Sequence, residues 1–506
     1  MTVQLKKLDE VYALVTITSP SEIELIDEKF AFYKENYQHD RGYMFGYDDG
    51  KTRFLRPMES GEYIFPLGLI SDLQRVCDAY KIVLEYEPDI DHDDTVVEGW
   101  DDFVQTLSLP SHIEIRPYQR KYVEKAIELN RIAAVSPTGS GKSLMIYLYI
   151  RYLTDKILKT GEKVLLVVPT VELVTQMYNH FISYGFSGED TSTIFYGQEK
   201  IYPGLTISTW QSLKDLPEDF FAQFSVLIVD EAHLAASEKL TYISHWSCNA
   251  RYRLGTTGSM HNDELKRNQI QANLGRLVQY VTTSELIKAG YLSPVVVKSL
   301  ILNWDFGRGK RLDRLASYDD EIKLILNSKT RFLYITKLIE DLRERSTGTV
   351  MILGKRVEYL KALFEYLSDE KEWKDLYFIT GKHVGKKLRL PQLDALREKG
   401  GTIIANIDII GTGTDIPNVD RVALITPCKS RLKIIQLIGR GLRKSPNKKW
   451  LEVIDVVDRI PMMDAREKNC ECFAYKQLED KLSTLEGEQY ASKQYSTHLD
   501  FKSEFC

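Results

Sequence analysis

The chain has 506 residues, of which 43% are apolar and 27% charged, and carries a net charge of −5. At roughly 100–200 residues per domain this is about three or four domains of ordinary globular composition, not a collagen-like, coiled-coil or disordered chain. No apolar run approaches the ~20 residues that span a bilayer, no basic-then-apolar leader opens the chain, and the acidic balance excludes a protein held to nucleic acid by bulk charge.

Residues 1–84 mix short apolar stretches with turns such as Tyr47-Asp48-Asp49-Gly50. Basic and aromatic residues interleave at Arg41, Tyr43, Phe45, Tyr47, Lys51, Arg53, Phe54 and Arg56, a pattern that could bind phosphates and stack bases. The same region holds 10 Lys and Arg against 14 Asp and Glu, so an ordinary aromatic core with a few exposed charges is the competing reading. An acidic run from Glu85 to Asp102 follows and reads as a solvated linker, with mimicry of nucleic-acid phosphates as the alternative.

From about residue 111, short β-branched runs alternate with amphipathic stretches of helical length. Strands are expected at Ile132–Val135, Val164–Val168, Leu205–Ser208 and Val226–Val229, and helices at Ser143–Leu158 and Val171–Tyr184. That alternation predicts βαβ units around a parallel sheet. Ser284–Pro294 reads as a helix ending at Gly290, followed by a crossing strand. The rhythm restarts with Thr349–Leu353, Leu376–Ile379, Thr402–Ala405, Val422–Ile425 and Leu451–Val456, and the last ~45 residues are polar and helix-prone. The six cysteines (Cys77, Cys248, Cys428, Cys470, Cys472 and Cys506) are scattered without a CxxC pair. They predict reduced thiols, no structural metal and a cytoplasmic location.

Ser136-Pro137-Thr138-Gly139-Ser140-Gly141-Lys142-Ser143 follows a predicted strand and opens a predicted helix, the context of a phosphate-binding loop. Glycines let the backbone approach phosphates so that N–H groups point inward, and the helix N-terminus adds partial positive charge. Lys142 would reach the β- and γ-phosphates of ATP, and the Ser143 hydroxyl would ligate Mg²⁺. The strict pattern has glycine where Ser136 stands. Asp230-Glu231-Ala232-His233 follows an apolar strand 88 residues after Lys142. Asp230 is expected to hold Mg²⁺ through water, and Glu231 to orient and polarise the attacking water. Residues 429–449 carry eight Lys or Arg and no acid. Some of these would contact phosphates, or the stretch is a solvated basic helix and turn.

The phosphate loop and Asp230–His233, followed by Thr257-Gly258-Ser259, resemble a superfamily 2 helicase or translocase over about residues 111–460. The resemblance implies two RecA-like domains with ATP between them. Arg116-Pro117-Tyr118-Gln119 resembles the upstream motif that reads adenine through its Gln. Pro169-Thr170 with Gln176, and Ser208-Thr209-Trp210-Gln211, match motifs that grip the nucleic-acid backbone in relatives. Gly411-Thr412-Gly413-Thr414-Asp415 resembles the motif whose Asp meets the ribose. Gln436 to Arg443 matches the QxxGRxxR motif, which implies Gln436 as γ-phosphate sensor and Arg440 and Arg443 as arginine fingers, an effect worth roughly 10³–10⁵ in rate in related systems.

Gly46-Tyr47-Asp48-Asp49-Gly50-Lys51, Phe65-Pro66-Leu67-Gly68-Leu69 and Cys77-Asp78 resemble the N-terminal domain of phage UvsW-type helicases, with Asp48 where that signature carries Trp. This implies a monomeric enzyme of the host cytoplasm that remodels forks, D- and R-loops and Holliday junctions in recombination, replication and repair. Its partner would be branched or forked DNA, with RNA in R-loops and no membrane. An RNA helicase, a double-strand translocase that does not separate strands, and a binding module without catalysis are the competing classes.

The expected fold is α/β, with two tandem RecA-like parallel-sheet motor domains, a small α+β N-terminal domain and a helical C-terminal tail. The expected boundaries are a DNA-engaging domain at 1–84 (with Arg41 and Arg53 as candidate contacts), an acidic linker at 85–110, motor domain 1 at 111–283, a linker at 284–300, motor domain 2 at 301–460 and the tail at 461–506.

Overall fold

The computed structural model describes residues 2–501 except 88–89, 91–94, 189–190, 195–203, 259–262, 308–309, 314, 316, 381–395, 397–399, 411–417, 428–437, 440, 443, 445–447, 464–467 and 488–489. It divides into two compact units, Met1–Pro137 with Gly141–Val281, and Thr138–Ser140 with Thr282–Cys506.

The first unit begins with a five-stranded sheet in the order Arg56–Pro57, Tyr63–Pro66, Tyr12–Ile17, Thr2–Lys7, Val83–Tyr86. Its neighbours run antiparallel except for the last pair. Alternation puts Val3, Leu5, Ala13, Val15 and Ile17 on one buried face, the period of two that a half-covered sheet requires. The helices Pro20–Lys29 and Ile70–Tyr80 cover that face with Ile26, Leu73 and Cys77. Leu265 and Ala272, from the later helix Glu264–Leu274, complete the same core. Gly68 permits this docking, because a Cβ there would fall 1.9 Å from the Gln271 carbonyl oxygen. The backbone N–H of Glu10 donates to Cys248 O at 2.9 Å. Arg131 in turn donates to Glu10 O at 2.6 Å and pairs with the Glu10 carboxylate.

The acidic stretch is only partly a solvated linker. Its end forms the short helix Trp100–Thr106, whose Trp100 and Phe103 are buried beside Tyr152 in the core of the seven-stranded sheet described next.

The rest of the first unit is a seven-stranded sheet in the order Thr191–Ile194, Leu205–Thr209, Lys163–Val168, Phe224–Asp230, Tyr252–Thr257, Arg131–Val135, Arg276–Gln279. Every pairing is parallel. Helices lie on both faces, so central strands such as Val164–Val168 and Val226–Asp230 are buried along their length, which explains their near-continuous apolar runs. The predicted helix at 143–158 is Lys142–Tyr152 closed by a π turn at Leu153–Ile157.

The second unit carries another all-parallel sheet of seven strands, ordered Leu376–Ile379, Gly401–Asn406, Thr349–Gly354, Val419–Leu424, Leu451–Arg459, Val295–Asp305, Ala491–Asp500. The crossing strand expected after Pro294 is Val295–Asp305, which pairs with Leu451–Arg459, so the end of the stretch given as a linker, 295–300, belongs to this sheet. One expectation changes here. The C-terminal stretch is not helical throughout, because the helix Phe473–Gly487 is followed by the strand Ala491–Asp500, which pairs in parallel with Val295–Asp305.

Three buried contacts fix the C-terminal helix and strand to this unit. Glu321 accepts the backbone N–H groups of Phe473 and Ala474 at 2.7 and 2.6 Å, a carboxylate at a helix N-terminus. Lys481 bonds both oxygens of Asp455 at 2.8 Å. Phe501 stacks on Trp304 at 3.9 Å.

Candidate nucleotide and nucleic-acid site

Parallel α/β sheets bind ligands beyond the carboxyl ends of their strands, and the seven-stranded sheet of the first unit gathers its polar residues there. The register sets Asp230 beside Thr256 and Thr257 beside Val135. The strand Arg131–Val135 runs into the loop 136–141 and then into the helix Lys142–Tyr152. Gly139 and Gly141 take φ of +87° and +85°, a region that L side chains enter only with strain. Ser136 is not among the positive-φ residues. Its N–H donates to Thr257 O at 2.8 Å and its carbonyl accepts from Lys142 Nζ at 3.4 Å. Glycine is therefore not required at that position, which accounts for the departure from the strict motif. Lys142 and Ser143 stand half-buried at the helix N-terminus, while Leu144 onward is core.

Gln119 lies beneath this loop. It is buried, its Oε1 accepts the Arg116 N–H at 2.9 Å, and a Cβ on Gly141 would fall 2.4 Å from its Nε2. The Arg116 guanidinium donates to Tyr118 OH at 3.0 Å.

Asp230 ends its strand with only 7% of its surface exposed, and its Oδ1 accepts the Thr256 hydroxyl at 2.6 Å. Burial first, and the neighbouring Glu231 charge second, push its carboxyl above the usual range; Lys142 opposes the shift. A buried carboxylate beside a second carboxylate is an environment that a divalent cation would relieve, so these residues fit a Mg²⁺–nucleotide site. Glu231 adopts left-handed φ and ψ of 56° and 53°. Such strain on a non-glycine residue persists only where surroundings enforce it, and it clusters at functional sites. The Glu231 carboxylate lies 3.3 Å from His233 Nδ1, which is also 3.1 Å from Thr257 Oγ1. Thr256, Thr257 and His233 thus support the two acids, although sequence reasoning assigned them no role. His233 carried a signal in its place two residues after Glu231, whereas Thr256 becomes visible only through strand register.

Further along the same carboxyl edge, Thr170 caps the helix Val171–Ser183 by accepting from Leu173 N at 3.3 Å. Thr209 caps Trp210–Leu213 by accepting from Ser212 N at 3.2 Å. Their strands are neighbours, with Val168 opposite Thr209, and Gln211 Nε2 donates to Pro169 O at 3.4 Å. Gln176 is half-buried on the first of these helices. The two threonine caps thus stand at the starts of helices that follow neighbouring strands.

Gly413, Asp415, Gln436, Arg440 and Arg443 lie outside the described residues. Among the other cations at 429–449, Lys444 is exposed. Lys448 is turned inward, its ammonium bonded to Gly441 O and its pKa pushed down to about 8 by burial. In the N-terminal region Phe54 is buried and Arg53 is held by Asp27 at 2.9 Å and by Asp49. Arg41 is exposed. No helix among the described residues is long and apolar enough to cross a membrane.

Residues 112–261 match the family described as Type III restriction enzyme, res subunit, and residues 331–445 match Helicase conserved C-terminal domain. The chain is 27% identical over 439 residues to the ATP-dependent DNA helicase uvsW of Enterobacteria phage T4, covering 85% of each chain. It is 23% identical to the DNA 3'-5' translocase XPB2 of Sulfurisphaera tokodaii, over 72% of this chain and 86% of that one. A solved fragment of a type I restriction enzyme HsdR subunit from Vibrio vulnificus shares the fold, with a TM-score of 0.58, 16% identity, and coverage of 94% of this chain and 92% of that one.

Proposed function

The chain is a superfamily 2 helicase, an ATP-driven motor, and from that premise we propose that it remodels branched DNA in phage recombination, replication and repair. Its substrates would be forks, D-loops, R-loops and four-way junctions, met by a monomer in the host cytoplasm, with RNA engaged only within R-loops. The observation that carries this reading is the similarity to the phage T4 DNA helicase over 85% of both chains. That span is too long to be confined to the motor domains.

In this reading ATP is the substrate, and a bound Mg²⁺ would supply charge screening for its phosphates. Backbone N–H groups of 138–141 and the Lys142 ammonium cradle the phosphates. Ser143 and Asp230 would hold the cation, Asp230 through water, and the Thr256 hydroxyl bonds one oxygen of Asp230. Glu231, kept in its strained conformation with His233 and Thr257 behind it, orients the attacking water. Gln119 and Arg116 would contact the base and Asp415 the ribose, with Gly413 in the same sequence motif. Arg440 and Arg443 stabilise charge on the transferring group, and Gln436 senses it. Pro169, Thr170, Gln176 and Thr209 line the strand path. ATP can drive movement because it binds the two states of the motor unequally.

The test is a substrate panel of forks, four-way junctions, R-loops, blunt duplex and single-stranded RNA, with ATP turnover and strand release read together. Stimulation and release on branched DNA are expected. Turnover driven by single-stranded RNA alone, or by blunt duplex without strand release, would replace this reading with an RNA helicase or a duplex translocase.

A further inference from the structure

The segment 40–50 inverts the usual surface loop, in which polar groups face water. Here the carboxylates are taken up by the loop's own backbone and by neighbouring cations. Asp40 accepts from Gly42 N at 2.8 Å, Asp48 accepts from Gly50 N at 3.0 Å and pairs with Lys34 at 2.6 Å, and Asp49 accepts from Lys51 N at 3.1 Å and pairs with Arg53. The aromatic groups are turned outward, with Tyr47 89% and Phe45 69% exposed and Tyr43 and Met44 beside them. The floor is fixed as well. Tyr37 stacks on Tyr33 at 4.4 Å and meets Tyr43 edge-on at 4.8 Å, and Gly50 (φ +76°) leaves no room for a Cβ, which would fall 2.7 Å from the Tyr37 ring. A loop held this firmly displays its rings at little ordering cost on binding.

Charge separates the possible occupants. Lys34, Arg41, Lys51 and Arg53 are balanced by Glu35, Asp40, Asp48 and Asp49, and two of the four cations are tied into ion pairs. A phosphate grip needs net positive charge and weakens steeply with salt; this patch has no net charge to offer. Flat apolar rings without net charge suit nucleobase faces, on which stacking is worth about 1–3 kcal/mol per base. Duplex DNA hides those faces and an unpaired strand shows them.

We propose that Tyr43, Phe45 and Tyr47 form a base-stacking site for the unpaired strand of a branched DNA, with the exposed Arg41 beside it. This rests on the branched-DNA reading and shifts the role of the N-terminal domain from phosphates to bases.

The experiment uses the full chain and forks carrying 5-iodouracil in the single-stranded arm. Photocrosslinks are expected in residues 41–47. Without ATP, Phe45→Ala and Tyr47→Ala should each weaken fork binding roughly tenfold, by the same factor at about 50 and 200 mM salt. Phe45→Leu should fall between wild type and F45A, and affinity for blunt duplex should hold within about twofold. The proposal fails if the variants bind forks like wild type, lose forks and blunt duplex equally, or lose an amount that shrinks with salt. It also fails if crosslinks map elsewhere, or if the variants lose only self-association or vesicle binding. A wild-type chain that does not distinguish forks from blunt duplex would instead remove the functional reading itself, and this site with it.

Discussion

Adding one methyl group at Gly141 tests the phosphate-loop geometry. Gly141→Ala places a Cβ at φ +85° and 2.4 Å from Gln119 Nε2. The left-handed backbone costs an L residue roughly 1–2 kcal/mol. Gln119 cannot swing aside freely, because it is buried and its Oε1 holds the Arg116 N–H; giving up that bond costs about 1 kcal/mol more. The phosphate-ready loop therefore becomes about 2–3 kcal/mol less favourable. If the loop relaxes when empty, that energy is charged to nucleotide binding and lowers affinity roughly 30- to 150-fold. Titration of the full chain with a fluorescent ATP analogue reads this directly. In a Gln119→Ala background the clash is gone and only backbone strain remains, so a double-mutant cycle should return a coupling of about 1 kcal/mol. Affinity within threefold of wild type, or the same loss in both backgrounds, would refute the geometry.

Lys142→Ala should abolish nucleotide binding, whereas Glu231→Gln should bind ATP and stall turnover; equilibrium binding beside steady-state hydrolysis separates the two. Asp230→Asn should abolish hydrolysis yet raise the unfolding temperature at pH 7.5. A carboxyl whose pKa is raised by folding favours the native state at low pH and loses that contribution as pH rises through the folded value, so the gap over wild type should close on acidification. A less stable Asn variant at pH 7.5 would contradict this. Asp458→Asn strips the partner from Arg331, whose bonds at 2.8 Å to Asp458 and to Ile425 O lie fully buried. Breaking such a pair costs about 3–5 kcal/mol, measurable by denaturant unfolding of the second motor domain. Deleting residues 1–84 should lower the unfolding temperature of the first motor domain, since it leaves Arg131 without Glu10 and uncovers Leu265. An unchanged transition would mean that the docking seen here carries no stability.

The phosphate loop, the Asp230–His233 tetrad and the strands that lead into them were legible because each is a local event. A β-branched run, a glycine turn and a helix start are written in consecutive residues, and the chemistry of Lys142 or Asp230 follows from its own side chain. Both parallel sheets announced themselves for the same reason, since strands such as Lys163–Val168 and Thr349–Gly354 are buried on two faces and are apolar along most of their length. What the linear pattern could not carry were the pairings between distant segments. Ala491–Asp500 is polar because its side chains face water at a sheet edge, so only its backbone pairing with a strand nearly two hundred residues earlier makes it a strand. The support of Asp230 by Thr256 depends on register between neighbouring strands. The neutralisation of Arg53 depends on Asp27 being folded back beside it. Side-chain identity decides which chemistry is present; the tertiary contacts decide which charges are already answered and which groups remain to meet a ligand.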